Sequence, residues 1–158
     1  MHKITPTPSQ ITEAYKLFDF KRLNNSITGG DGNVSGALGE IVVRDTYKGK
    51  QANTYDYDII LNGKKVDVKT KRFSKQFTPN KNWTFSVADY NTTQKCDYYC
   101  FVGVSYDLST VYILGFMKKS DFIERSVFRR KGEVDPNGNG TWTFRADCHN
   151  IQVKDLIL

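Results

Sequence analysis

The sequence predicts a mixed α/β or α+β fold, and three observations carry that expectation. Two stretches near the amino terminus repeat apolar residues at helical spacing. A run around residue 60 alternates with a period of two about an Asn-Gly pair, and several later runs rich in aromatic and β-branched residues read as strands. The predicted order is helix, helix, strands, helix, strands. At 158 residues the chain is expected to form a single domain, 1–158, around one core, to which Tyr98, Tyr99, Phe101, Trp142 and Phe144 supply apolar surface.

The lead-in Thr5-Pro6-Thr7-Pro8 precedes a first helix, with Ser9 as its expected cap, Ile11, Ala14, Leu17 and Phe18 on its apolar side, and an end near Asn24-Asn25. Thr28 to Asn33 is rich in turn formers and reads as a loop whose glycines match no phosphate-binding fingerprint. A second helix is expected from Ser35 to about Tyr47, stopped by Gly49, with Leu38, Ile41 and Val42 facing inward and Glu40 within it. Tyr55 to Leu61 then reads as a strand, Asn62-Gly63 as a two-residue turn, and Lys64 to Thr70 as the return strand. Further strands are expected near Trp83 to Val87, Tyr98 to Tyr106, Val111 to Phe116, Thr141 to Arg145 and Asn150 to Val153. Ser120 is expected to cap a short helix through Phe122 and Ile123, and Asp135 to Gly140 to form a loop.

The net charge of +6 suits a protein that meets a polyanion, although solubility alone accounts for it equally well. No apolar run approaches the ~20 residues needed to span a bilayer, and Met1-His2-Lys3-Ile4 does not open a secretory signal, so a cytoplasmic location, in a cell or in a phage-infected host, is the expectation. The odd set Cys96, Cys100 and Cys148 points to reduced, packed thiols rather than a disulfide framework. With His149 these cysteines lack the loop spacing of a zinc site, and His2 and His149 form no His-metal nuclease motif.

The Asn-Gly turn sets a register. Leu61 faces Lys64, Ile60 faces Lys65, Ile59 faces Val66, Asp58 faces Asp67 and Asp56 faces Lys69. Alternation then puts Tyr57, Ile59, Val66 and Val68 on a core face, and Asp56, Asp58, Asp67 and Lys69 on the other. Opposed residues bring Cβ atoms within ~4.5–5.5 Å, so Asp58 and Asp67 would repel unless a cation sat between them. Magnesium takes one or two protein carboxylates and leaves positions for water and phosphate. Lys69, two residues after Asp67, can stabilise phosphate charge or help to deprotonate water. The plain alternative is a solvated hairpin with exposed pairs worth roughly 0–1 kcal/mol each.

Asp58, the Asn-Gly hairpin and Asp67-Val68-Lys69 together resemble the PD-(D/E)XK nuclease signature in its D-x-K form. Ser35-Gly36-Ala37-Leu38-Gly39-Glu40 is similar to that superfamily's first core helix, whose glutamate often faces the metal site, and its small residues permit close packing. The resemblance spans about residues 35 to 120. It implies a restriction-endonuclease-like central mixed β-sheet flanked by helices. Tyr57 stands where the family name has proline, and Asp56 is the competing motif acid, although the register favours Asp58. What the resemblance implies for the site is metal binding by Asp58, Asp67, the Val68 carbonyl and Glu40, with Lys69 acting on phosphate or water, and Mg2+ as the ion, Mn2+ as its substitute.

The expected partner is double-stranded DNA. Lys71, Arg72, Lys75 and Lys81, interleaved with Phe73, Phe77 and Trp83, form one candidate contact segment, and Arg129-Arg130 with Lys131 a second; a basic loop with core-anchored aromatics is the alternative for the first, a solvated helix end for the second. The activity so implied is a metal-dependent DNA endonuclease, of homing, junction-resolving or repair type, acting as a dimer or tetramer so that two sites cut two strands. The rivals are a non-catalytic DNA-binding module of the same fold and an RNA-directed protein.

Overall fold

A computed structural model describes residues 1–24, 34–52, 54–74, 76–136 and 140–157, with the backbone alone for 20–24. The loop expected at Thr28 to Asn33 lies outside the described residues, as do Lys75 and part of the turn after Asp135. The fold is mixed α+β. Strands β1 (His2–Ile4), β2 (Lys50–Gln51), β3 (Ile59–Leu61), β4 (Lys64–Phe73), β6 (Tyr98–Ser105) and β7 (Val111–Lys118) form a six-stranded sheet in the order β1-β7-β6-β4-β3-β2. Its β4–β6 pair is parallel and its other pairs are antiparallel. A second sheet has the order β5-β9-β8, from β5 (Thr84–Ala88), β8 (Val127–Arg129) and β9 (Cys148–Gln152).

Helices α1 (Pro8–Asn24) and α2 (Val34–Thr46) cover one face of the large sheet. There Leu38, Ile41, Val42 and Val43 pack on Ile59, Val66, Val68, Cys100, Val102 and Val104. The second sheet and α3 (Lys119–Arg125) cover the other face, where Phe85, Val87, Ile151 and Phe122 meet Tyr99 and Phe101. Alternation along β4 therefore decides the environment of its polar residues. Val66 and Val68 enter the helix-side core, and Asp67, Lys69, Lys71 and Phe73 project toward the second sheet.

The cap of α1 is Thr7, not Ser9. Thr7 Oγ1 accepts from Gln10 N–H at 3.2 Å and Gln10 Oε1 accepts from Thr7 N–H at 3.0 Å, a reciprocal capping box with Pro8 at the first helical position. Arg44 of α2 ties the two helices together through Glu13 at 2.5 and 2.9 Å. At the end of α2, Lys48 takes the left-handed conformation with φ 55°, whereas Gly49 is needed for space. A Cβ there would lie 2.2 Å from Leu61 Cδ2 and 2.9 Å from Ile60 O. Gly39 does the same inside α2, where a Cβ would lie 2.5 Å from Thr70 Oγ1, so the small residues do let this helix press onto β4.

Three expected elements differ. Thr141 to Arg145 joins neither sheet, because it pairs instead with the stretch before its own loop: Asp135 N–H donates to Trp142 O and Phe144 N–H to Glu133 O, both at 2.9 Å. Ser120 lies inside α3, whose cap is Lys118 without a side-chain bond. Arg129, expected at a helix end, belongs to strand β8, and the short strands β1 and β2 were also not expected. Among the described residues no helix is long and apolar enough to cross a membrane.

Candidate metal and phosphate site

The hairpin register is the one the turn dictates: Leu61 opposite Lys64, Ile60 opposite Lys65 and Ile59 opposite Val66. Asn62 and Gly63 have φ of 48° and 77°, as a two-residue hairpin turn with both residues left-handed requires. Regular pairing stops at Ile59, three residues short of the expected Asp56–Lys69 pair. Asp58 N–H donates to Val66 O at 3.0 Å, although Val66 already pairs with Ile59, so two residues face one as in a β-bulge. Upstream, Thr54 Oγ1 bonds both the carbonyl and the N–H of Tyr57, at 2.8 and 3.1 Å, which folds residues 54–57 into a turn rather than a strand.

The bulge changes where the side chains go. Tyr57, expected in the core beside Ile59, lies under Lys65, whose Nζ is 5.3 Å from its ring centroid. Asp56 does not face Lys69. Its Oδ1 accepts from Lys95 N–H at 3.0 Å. Asp58, by contrast, turns its carboxylate onto β4, where Oδ2 accepts from Val68 N–H at 2.8 Å.

Asp58 and Asp67 are brought together. Asp67 is 5% exposed, and its carboxyl is pushed up to about 7, first by burial and next by the Asp58 charge and contact, while Lys69 opposes the rise. Lys69 Nζ lies 2.7 Å from Asp67 Oδ2, close enough for an ion pair but without hydrogen-bond geometry, so this buried oxygen has no hydrogen-bond partner. Lys69 Nζ donates to Gln94 Oε1 at 3.2 Å and lies 5.6 Å from the Tyr99 ring centroid.

Val66 O and Val68 N–H both point at Asp58, and a strand residue directs its N–H and C=O to the same edge. The Val68 carbonyl therefore faces the edge of β4 beyond the last residue that β3 pairs. Glu40 is 6% exposed and comes from α2. It joins Asp58 through Gln51, a residue that sequence reading missed. Gln51 Nε2 donates to Glu40 Oε2 and to Asp58 O, both at 3.2 Å, and Gln51 Oε1 is buried without a hydrogen-bond partner. Its only sequence signal is position, just after α2 and before the motif strand.

Among the described residues no three His, Cys, Asp or Glu side chains form a ready-made metal cage. Two adjacent carboxylates, one with a buried oxygen that has no hydrogen bond, and a strand-edge carbonyl nevertheless make an all-oxygen donor set, which fits a hard divalent cation. All three thiols are free, and burial, then Asp67, pushes Cys96 up to about 11. His149 is bound by Asp89 Oδ1 at 2.9 Å and by Ser126 Oγ at 3.1 Å.

The expected DNA contacts are dispersed. Lys71, though exposed, lays its Nζ on Thr84 O at 2.8 Å against the Trp83 and Phe85 rings, and the desolvation there lowers its pKa. Arg72 stacks on Tyr106 at 4.9 Å on the opposite face of β4, and Lys81 is exposed. Phe73, Phe77 and Trp83 cluster with each other at 5.2 to 6.3 Å between centroids, as core anchors do. Arg129 lies 3.7 Å from Glu133 on β8, two strands across from β5, with Arg130 exposed beside it. That separation is ~10 Å of sheet. No known protein family matches the chain, and no curated protein matches it.

Proposed function

We propose that the chain is a metal-dependent endonuclease that hydrolyses DNA phosphodiesters, in the manner its resemblance to PD-(D/E)XK enzymes implies. The observation that carries this reading is the junction of the half-buried Asp58 with the buried Asp67, with an ammonium 2.7 Å from an Asp67 oxygen that has no hydrogen bond. A structural hairpin gains little from such an arrangement, because a buried Asp67 beside the half-buried Asp58 is hard to ionise, as its rise to about 7 records. A site for a cation and a phosphate gains both its charge and its empty coordination from it.

Asp58, Asp67 and the Val68 carbonyl would hold the ion, and Mg2+, or Mn2+ in its place, would supply Lewis acidity and a more acidic bound water. A cation held there would favour the ionised form of Asp67. Lys69 directs its charge to the same place and stabilises the oxygens of the phosphate as negative charge builds on them. Glu40, through Gln51, fixes the Asp58 backbone, so the helix side of the sheet sets the height of the acid loop. The exposed Lys81 and Arg130 would meet the duplex backbone, in a homodimer or tetramer that presents two centres to two strands.

The test is nicking of supercoiled plasmid with Mg2+ or with EDTA, using wild type and Asp67→Asn. Metal-dependent nicking by wild type alone supports the reading. Intact DNA binding without nicking under any divalent metal refutes it in favour of a non-catalytic DNA-binding module, and preferential cleavage of RNA redirects it to an RNA nuclease.

A further inference from the structure

Residues 94–97, between β5 and β6, form a strap that touches Lys69, the turn at residues 54–57 and the hairpin. Gln94 Oε1 accepts from Lys69 Nζ at 3.2 Å, and Gln94 Nε2 donates to Tyr55 O at 2.7 Å. Lys95 N–H donates to Asp56 Oδ1 at 3.0 Å, so the acid that competes with Asp58 in the motif anchors the loop instead. Asp97 grips the hairpin from both sides of one residue: its Oδ2 accepts from Lys65 N–H and its N–H donates to Lys65 O, each at 2.8 Å. Lys119, at the start of α3, closes the strap by donating its Nζ to Gln94 O, and its N–H donates to Asp97 O at 3.0 Å.

A lysine side chain has about 2 kcal/mol of rotamer entropy, and a catalytic ammonium must be held within about 0.5 Å to act in the transition state. Asp67 alone does not hold it, since that contact lacks hydrogen-bond direction. A neutral amide oxygen supplies the direction. It also leaves the lysine charge uncancelled, which a carboxylate at the same place would not. We infer that Gln94 is a positioning residue for Lys69, aiming its ammonium at the phosphate while tethering the Tyr55 turn that leads into Asp58. The role in catalysis rests on the nuclease reading, and the tether itself does not.

Gln94→Met, which keeps the length and removes both hydrogen bonds, tests it. The first readout is acylation of Lys69 by an amine-directed reagent, followed by mass spectrometry against the exposed Lys64 in the same sample. The expected result is an increase of about threefold or more in the Lys69 to Lys64 ratio, with Gln94→Glu, which retains an acceptor, as protected as wild type. An unchanged ratio in Gln94→Met overturns the tether. The second readout is single-turnover cleavage, expected to fall about 10- to 100-fold with DNA affinity within about twofold of wild type. In a Lys69→Ala background the same change should have no further effect, and a multiplicative loss there overturns action through Lys69. If wild type cleaves nothing, the nuclease reading fails, and the acylation ratio still decides the tether.

Discussion

Replacing Asp67 by asparagine should stabilise the metal-free protein at alkaline pH, and the size of the effect follows from its surroundings. The folded carboxyl titrates near 7, pushed there by burial and by Asp58, while an unfolded aspartate titrates near 4. Between these values the folded chain holds a proton that the unfolded chain has released. Rising pH therefore removes stability across that window, and the penalty is complete above about 7. From pH 5 to about 7 the folded group keeps a proton that the unfolded chain has released, roughly two units at 1.36 kcal/mol per unit, on the order of 3 kcal/mol by pH 8. Asp58 and Asp67 titrate as a pair, so the loss belongs to the pair, and Asn at 67 abolishes it by removing one charge.

The assay is thermal unfolding of wild type and Asp67→Asn in EDTA at pH 5, 6, 7 and 8. For a chain of this size 1 kcal/mol moves Tm by roughly 2–4 °C, so the gap between the variants should widen by about 6–12 °C in favour of Asp67→Asn. Other titrating groups cancel in the comparison. Mg2+ at 100 times its Kd should then restore about 2.7 kcal/mol to wild type at pH 8 and little to the variant. A gap that stays constant from pH 5 to pH 8 would refute the reasoning, because it would mean that the carboxylate is neither buried with nor opposed by Asp58.

Other expectations follow from the same geometry. Lys69→Ala should lower cleavage by about 10²- to 10³-fold in single-turnover assays while filter binding shows unchanged DNA affinity. Gln51→Leu, which uncouples Glu40 from the Asp58 backbone, should lower activity or Mg2+ affinity by about 10- to 100-fold, read by a metal titration of cleavage. Gly39→Ala should destabilise by about 1–3 kcal/mol in urea unfolding, and Thr70→Ala should suppress much of that loss by removing the oxygen 2.5 Å from the new methyl.

What was legible in the sequence was the part governed by local rules. Asn62-Gly63 determines its turn type, the turn determines the register, and the register determines which residues of β4 are buried against the helices. The same logic identified Asp67 and Lys69 as neighbours on the opposite face and favoured Asp58 over Asp56 as the acid beside Asp67. The route by which Asp58 arrives was not legible, because it depends on Thr54 turning residues 54–57 and on the bulge at Asp58.

The contributions of Gln51 and Gln94 were equally hidden. Each acts through a contact across 7 to 39 residues, and a lone glutamine has no periodicity or spacing that marks it. The second sheet was foreseen only in pieces for a related reason. Its strands β5, β8 and β9 are far apart in sequence, and their partnership is a tertiary choice that local pattern does not encode. The capping box at Thr7 and Gln10 is the opposite case, since its Thr-Pro-Ser-Gln spacing was visible and Ser9 was preferred to it.

A crystal of the wild-type protein soaked in Mn2+ at pH 8 tests the metal site most directly. An anomalous peak about 2.1 Å from a carboxylate oxygen of both Asp58 and Asp67, absent from Asp67→Asn crystals, is the predicted result. Density that holds no ion there, with Lys69 Nζ still seated on Asp67 Oδ2 in saturating metal, would contradict it.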